Sequence, residues 1–190
     1  MSKRSIDELL VKKKLIEEMV EIINNPILTG YSKAYYLRNV AIQTWTEHYP
    51  VKSSKHEGCK YWSAQAFKQV FERDEYTKAE PLLHEHVIPK EFLIKNIFLS
   101  GGNGPVDYQY IEHYLNEYTF ACVLTKSENS RINAVSISTM PPEFMEIKNE
   151  NYLKGWLRYS RAGIDVYEVK WNDKVPVKKR KVDTDNIQLV

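Results

Sequence analysis

His84-Glu85-His86-Val87-Ile88-Pro89 sets two imidazoles around one carboxylate and follows them at once with an apolar pair and a proline. These groups suit phosphodiester hydrolysis. A histidine deprotonates water near neutral pH. A carboxylate helps hold a hard divalent cation that neutralises the phosphate and the leaving oxygen. On a strand, His84 and His86 share one face and Glu85 points away. That alternation relaxes at a strand end, so Glu85 and His86 are expected to line one pocket, with His84 in support or idle. The plainer alternative is a surface pairing of Glu85 and His86 near Lys90.

Glu85-His86-Val87-Ile88-Pro89 is similar to the signature that opens the HNH, or ββα-metal, endonuclease finger. Val123-Leu124-Thr125 resembles the second strand of that finger, and Lys126-Ser127-Glu128-Asn129-Ser130-Arg131 its closing helix. The resemblance covers about residues 82–133. It implies that Glu85 and Asn129 bind a divalent metal, Mg2+ before Mn2+ or Zn2+, and that His86 is the general base. Glu128 and Asn133 are further supporting candidates, and Arg131 a phosphate contact. The family's middle asparagine has no clear counterpart, since Ala121 and Cys122 stand near its place; Asn116 and Asn133 are substitutes by position only. The implied function is metal-dependent cleavage of nucleic acid, DNA before RNA.

Two rival readings stay open. Glu168-Val169-Lys170 on a strand, with Asp107 as a first acid, resembles the PD-(D/E)XK restriction-nuclease site. The other rival is a non-catalytic DNA- or protein-binding accessory factor carrying a degenerate HNH finger, and the missing asparagine favours it. A serine or cysteine hydrolase is disfavoured, because there is no Gly-x-Ser-x-Gly elbow and Cys122 sits in an apolar run.

The elements that must position these residues read as a helix-rich α+β fold. Ser5-Ile6-Asp7-Glu8 has capping-box form and opens a helix that Pro26 ends. Ser32 caps a second helix to about His48, buried along Tyr36, Leu37, Val40, Ala41 and Trp45 and closed by Pro50. Residues 51–60 read as a loop. A third helix spans Ser63 to Arg73, with Ala66, Phe67, Val70 and Phe71 inward. Leu82 to Ile88 is a short strand, and Pro89 takes the first position of a helix that runs through Phe92, Leu93, Ile94, Ile97 and Phe98. Gly101-Gly102-Asn103-Gly104-Pro105 is a turn rather than a phosphate loop, since it lacks the Lys-Ser/Thr pair. Val106 to Tyr118 is amphipathic, and Thr119 to Thr125 is a buried strand. Thr125 or Ser127 caps the helix after it. Tyr152 to Arg161 is helical, Gly163 ends it, and Ile164 to Trp171 is a last strand.

The expected organisation is a helical region over 1–75, an HNH-like α+β region over 76–171 and a basic tail over 172–190. Between Lys170 and Lys181 six positive residues face one negative, Asp173. Lys178, Lys179, Arg180 and Lys181 are therefore candidate phosphate contacts, against the alternative of a solvated tail. The formal net charge of +2 is itself neutral on nucleic acid. Cys59 and Cys122 form no CxxC pair and read as reduced thiols, although a zinc site with His84 and His86 is conceivable. No run of about 20 apolar residues spans a membrane, and no secretory signal is apparent, so the expected location is cytoplasmic. The N-terminal helices are the expected surface for a protein partner or a homodimer.

Overall fold

The structure is a computed structural model that describes residues 3–46, 56, 58–72, 79–99, 104–172 and 175–185. His48, Pro50, most of the loop over 51–60, Arg73, Gly101 to Asn103, Asp173 and Lys174 lie outside the described residues, as does the side chain of Ile97. The fold is α+β. By contacts the chain divides into two units, each assembled from two stretches of sequence: 1–53 with 90–120, and 54–89 with 121–190. The expected boundary at residue 75 does not coincide with this division.

The first unit is helical. Helix α1 (Lys3–Asn24) starts before the Ser5–Glu8 pair expected to open it and stops ahead of Pro26. Leu15, Ile16, Met19 and Ile23 bury one stripe of it, and α1 packs on α6 (Tyr108–Tyr118). The Asn24 amide clamps Val106 from both sides, donating to its carbonyl at 2.7 Å and accepting from its N–H at 2.9 Å. The cap of α2 (Gly30–Tyr36) is Thr29, not Ser32: its hydroxyl accepts from the Ser32 N–H.

From Leu37 to Ala41 the helix widens to a π turn before α3 (Ile42–Thr46). The extra residue rotates the buried face. Val40, expected inward, is exposed, while Leu37, Ala41 and Ile42 are fully buried. A second π turn, Ile94–Phe98, follows α5 (Lys90–Leu93). Helix α5 starts at Lys90, so Pro89 precedes it rather than opening it.

Among its described residues the second unit is built on a five-stranded sheet. Its strands are β1 (Tyr61–Ser63), β2 (Leu82–His86), β3 (Ala121–Thr125), β4 (Val166–Asn172) and β5 (Val175–Lys181), in the spatial order β2-β3-β1-β4-β5. Only β1 and β3 are parallel; the other pairings are antiparallel. Strand β1, at the centre, was not anticipated. Its last residue Ser63 caps α4 (Ala64–Phe71), accepting from the Ala66 N–H at 3.0 Å.

Alternation along the strands gives the sheet two faces. Trp62, Val123 and Val169 lie on the face covered by α4, where they join Cys59, Ala66 and Phe67 in one apolar cluster. Phe71, at the rim, stacks on Trp62, Phe67 and Trp171. The opposite face carries Tyr61, Ser63, Leu83, Glu85, Cys122, Leu124 and Glu168, as the registers require. Helices α7 (Lys126–Val135) and α8 (Leu157–Arg161) pack on each other in this unit. The helix expected from Tyr152 is thus confined to its last turn and a half. Gly163, at φ +63°, follows it where a left-handed residue is needed.

The basic segment expected as a tail is largely a strand. Residues Val175–Lys181 are β5, hydrogen-bonded to β4 with a bulge at Lys170/Trp171. Pro176 has no N–H to give a ladder, which suits an edge strand.

Candidate functional site

Strand β2 brings the His84–Glu85–His86 cluster into the sheet with alternation intact to its last residue. His84 stands opposite Val123 and His86 opposite Ala121, on the α4 side, with the two imidazoles edge to face at 5.7 Å. Glu85 stands opposite Cys122 on the other face. The expected shared pocket for Glu85 and His86 is therefore not formed: the strand itself lies between their side chains. The reason is pairing. His86 is still in the β2–β3 ladder, so the relaxation expected at a strand end begins only at Val87.

Glu85 is also already engaged. Arg158, on α8, is fully buried and aims both terminal nitrogens at Glu85 Oε1, each at 3.2 Å. The same guanidinium donates to the Ser136 carbonyl from Nε at 3.0 Å and from Nη2 at 2.8 Å. Nη1 further approaches the carbonyls of His86 and Val87 at 3.3 and 3.4 Å. Arg158 thus joins the end of β2, the exit of α7 and its own helix. A carboxylate held this way is neutralised by a fixed fork of donors.

Helix α7 begins with a complete capping box. Thr125 Oγ1 accepts from the Glu128 N–H, and Glu128 Oε2 accepts from the Thr125 N–H at 3.0 Å. Of the two expected caps, Thr125 fills the role. Glu128 Oε2 also accepts from the Ser63 hydroxyl at 2.5 Å, tying α7 to the end of β1. Glu128, a candidate supporting ligand, is thereby buried inside the fold.

Asn129 is half-buried, and its Oδ1 has no hydrogen-bond partner among the described residues. Asn133 sits one turn further along α7, also half-buried. Arg131, expected to contact phosphate, donates to the carbonyls of Ala162 and Gly163 at 3.2 and 3.4 Å. It satisfies the exit of α8 while its side chain stays half-exposed. Ala121 and Cys122, near the place of the family's middle asparagine, are buried in β3. Asn116 is exposed on α6, in the first unit.

Cys122 faces Tyr159, and burial pushes both groups well above their ordinary pKa ranges, with the Glu128 and Glu85 carboxylates adding to the effect on the thiol. Cys59 is buried too. Thiolate is the reactive form, so Cys122 is expected to resist iodoacetamide at pH 8 in the folded protein and to label promptly in urea. Mass spectrometry reads this directly; rapid native labelling of Cys122 would refute the packing described for β3.

The residues of the other candidate nuclease site are dispersed in role. Asp107 caps α6 by accepting from the Tyr110 N–H at 2.8 Å. Glu168 pairs with Lys60 at 3.2 Å and with Arg180. Burial works to raise its carboxyl, but hydrogen bonds from Arg180 and Lys60 outweigh it and hold the group below its usual range. Lys170 is exposed on the same face, opposite Lys178. On β5, Lys179 pairs with Glu72 and lies over the rings of Phe67 and Tyr167, and Lys181 pairs with Asp165 at 2.8 Å.

Sequence reasoning missed Arg158, Ser63 and Lys60. Arg158 carries no local signal, since an arginine in a short helix reads as surface. Among the described residues, no group of three or more His, Cys, Asp or Glu side chains is placed to hold a metal ion. None of their helices is long and apolar enough to cross a membrane. No family model, curated protein or solved structure matches this chain.

Proposed function

We propose that this protein is a non-catalytic nucleic-acid-binding factor, in which β2, β3 and α7 form a ββα unit used as framework and the basic β4–β5 hairpin engages phosphate. The observation that carries this reading is the edge strand β5. It sets Lys178 directly across a hydrogen-bonded ladder from Lys170, with Arg180 two residues along the same strand. Extended lysine and arginine side chains on an exposed edge neutralise phosphates and release their counterions.

The residues do not fit the divalent-metal centre that the HNH resemblance implies. Glu85 is clasped by Arg158, Glu128 is consumed by the capping box and the Ser63 hydroxyl, and His86 lies across the strand from Glu85. One observation favours metal-dependent endonuclease activity as a second reading: the Oδ1 of Asn129, buried and without a partner among the described residues, is the kind of acceptor a hard cation takes.

Two measurements separate the readings. Fluorescence anisotropy with a short labelled DNA duplex is expected to show binding that weakens steeply with salt. Supercoiled plasmid incubated with Mg2+, Mn2+ or Zn2+ is expected to stay intact. Nicking that requires metal and disappears in His86→Ala would replace the accessory reading by the nuclease one. Absence of any binding to DNA or RNA at low salt would sink the nucleic-acid reading altogether.

A further inference from the structure

The basic hairpin is not uniformly basic. Resolved by face, its charges divide sharply. On the α4 side, Lys179 is matched by Glu72 and Lys181 by Asp165, and the Lys179 stem is spent covering Phe67 and Tyr167. Beyond the bulge at Lys170/Trp171 the alternation shifts, and Pro176, opposite Trp171, takes this side of β5. This face is electrically balanced and partly apolar.

On the opposite side, among the described residues, Lys60, Lys170, Lys178 and Arg180 meet a single carboxylate of the hairpin, Glu168. Glu168 is shared between Lys60 and Arg180. Lys170 and Lys178 stand directly across the ladder from each other, with no acidic partner among the described residues. Like charges at such a cross-strand position destabilise the sheet, so the pair calls for an external anion. Lys178 and Arg180, two residues apart on one strand, present their charges about 6.6 Å apart along it.

We infer that the Lys170/Lys178/Arg180 face of the hairpin, and not the Lys179/Lys181 face, is the surface that binds the phosphate backbone of nucleic acid. This rests on the nucleic-acid reading above and assigns its contact face. Charge complementarity favours a polyphosphate over a protein partner. Protein interfaces are depleted of charge at their centres and built on apolar anchors, whereas Lys170, Lys178 and Arg180 gather positive charge on this face. The described side chains of β4 and β5 on the charged face include no aromatic ring for stacking a base. The contact is therefore to the backbone and is independent of sequence.

The test compares two variants of equal charge change in the full chain. Lys170→Gln/Lys178→Gln is expected to weaken duplex binding on the order of tenfold and to lower the slope of log K against log salt by about two. Lys179→Gln/Lys181→Gln is expected to leave both within error. All four side chains are partly or largely exposed, and thermal melting verifies that each variant is folded. If the second pair weakens binding as much as the first, or neither does, the face assignment is wrong while nucleic-acid binding stands. If the wild type binds neither DNA nor RNA, the functional reading itself has failed. Poly-glutamate that displaces the duplex as well as heparin does, but not from the first variant, would make the occupant an acidic protein and overturn the assignment.

Discussion

Replacing Arg158 by methionine is expected to lower the unfolding free energy by about 3 kcal/mol, the cost of removing one partner from a buried ion pair. Arg158 is completely buried, and its guanidinium serves Glu85, the Ser136 carbonyl and the carbonyls of His86 and Val87 at once. Methionine fills the volume but donates nothing, so backbone acceptors at the ends of β2 and α7 lose their donor together. Glu85 is about a quarter exposed and regains some hydration, which keeps the expected loss from exceeding that figure. Arg158→Lys is expected to recover only part of it, because an ammonium is a point charge and cannot span four acceptors as the planar fork does. Urea denaturation with an unchanged m value measures both. If either variant stays within about 0.5 kcal/mol of the wild type, the clasp is not what joins these elements.

The second large effect is expected at Glu128. Glu128→Ala removes the return half of a capping box, about 1 kcal/mol. It also strands the buried Ser63 hydroxyl, whose acceptor is the lost carboxylate, adding roughly 1–3 kcal/mol. The Ser63 bond joins α7 to the central strand over 65 positions of sequence. A double-mutant cycle with Ser63→Ala therefore separates the cap from the tie, with a coupling expected above about 0.5 kcal/mol. A cycle that closes to zero would mean that the two residues contribute independently. Affinity of the folded Glu128→Ala protein for a DNA duplex is expected to be unchanged. A metal ligand would behave differently, since its loss would change metal-dependent properties of a protein that stays folded.

These expectations set His84-Glu85-His86 in a new light. Its chemistry was legible at once, because residue type and spacing are local. Its roles were not. Glu85 meets an arginine 73 positions away, and no pattern within a dozen residues announces which partner a carboxylate will find. Asn129 is half-legible in the same sense: the sequence places it on a helix after a strand, and only the packing leaves its Oδ1 buried without a donor among the described residues.

The sequence by itself determined the elements whose signal is local. The apolar run before Thr125 makes β3, which is buried at every position. The Thr125-x-x-Glu128 spacing opens α7, Pro26 limits α1, and Gly163 supplies the left-handed residue after α8. Tertiary structure alone decided the rest. Three residues are too few to show a period, so β1 was unreadable, yet it holds the centre of the sheet because β3 and β4 pair on its two sides. The lysine-rich run became a strand for the same reason: pairing with β4 orders it despite a composition that suggests a tail. Each unit joins two stretches of sequence separated by a segment of the other unit, 54–89 in the first case and 90–120 in the second. Local periodicity reports which face a side chain takes. Which strand lies beside it, and which charge waits across it, is set by long-range packing.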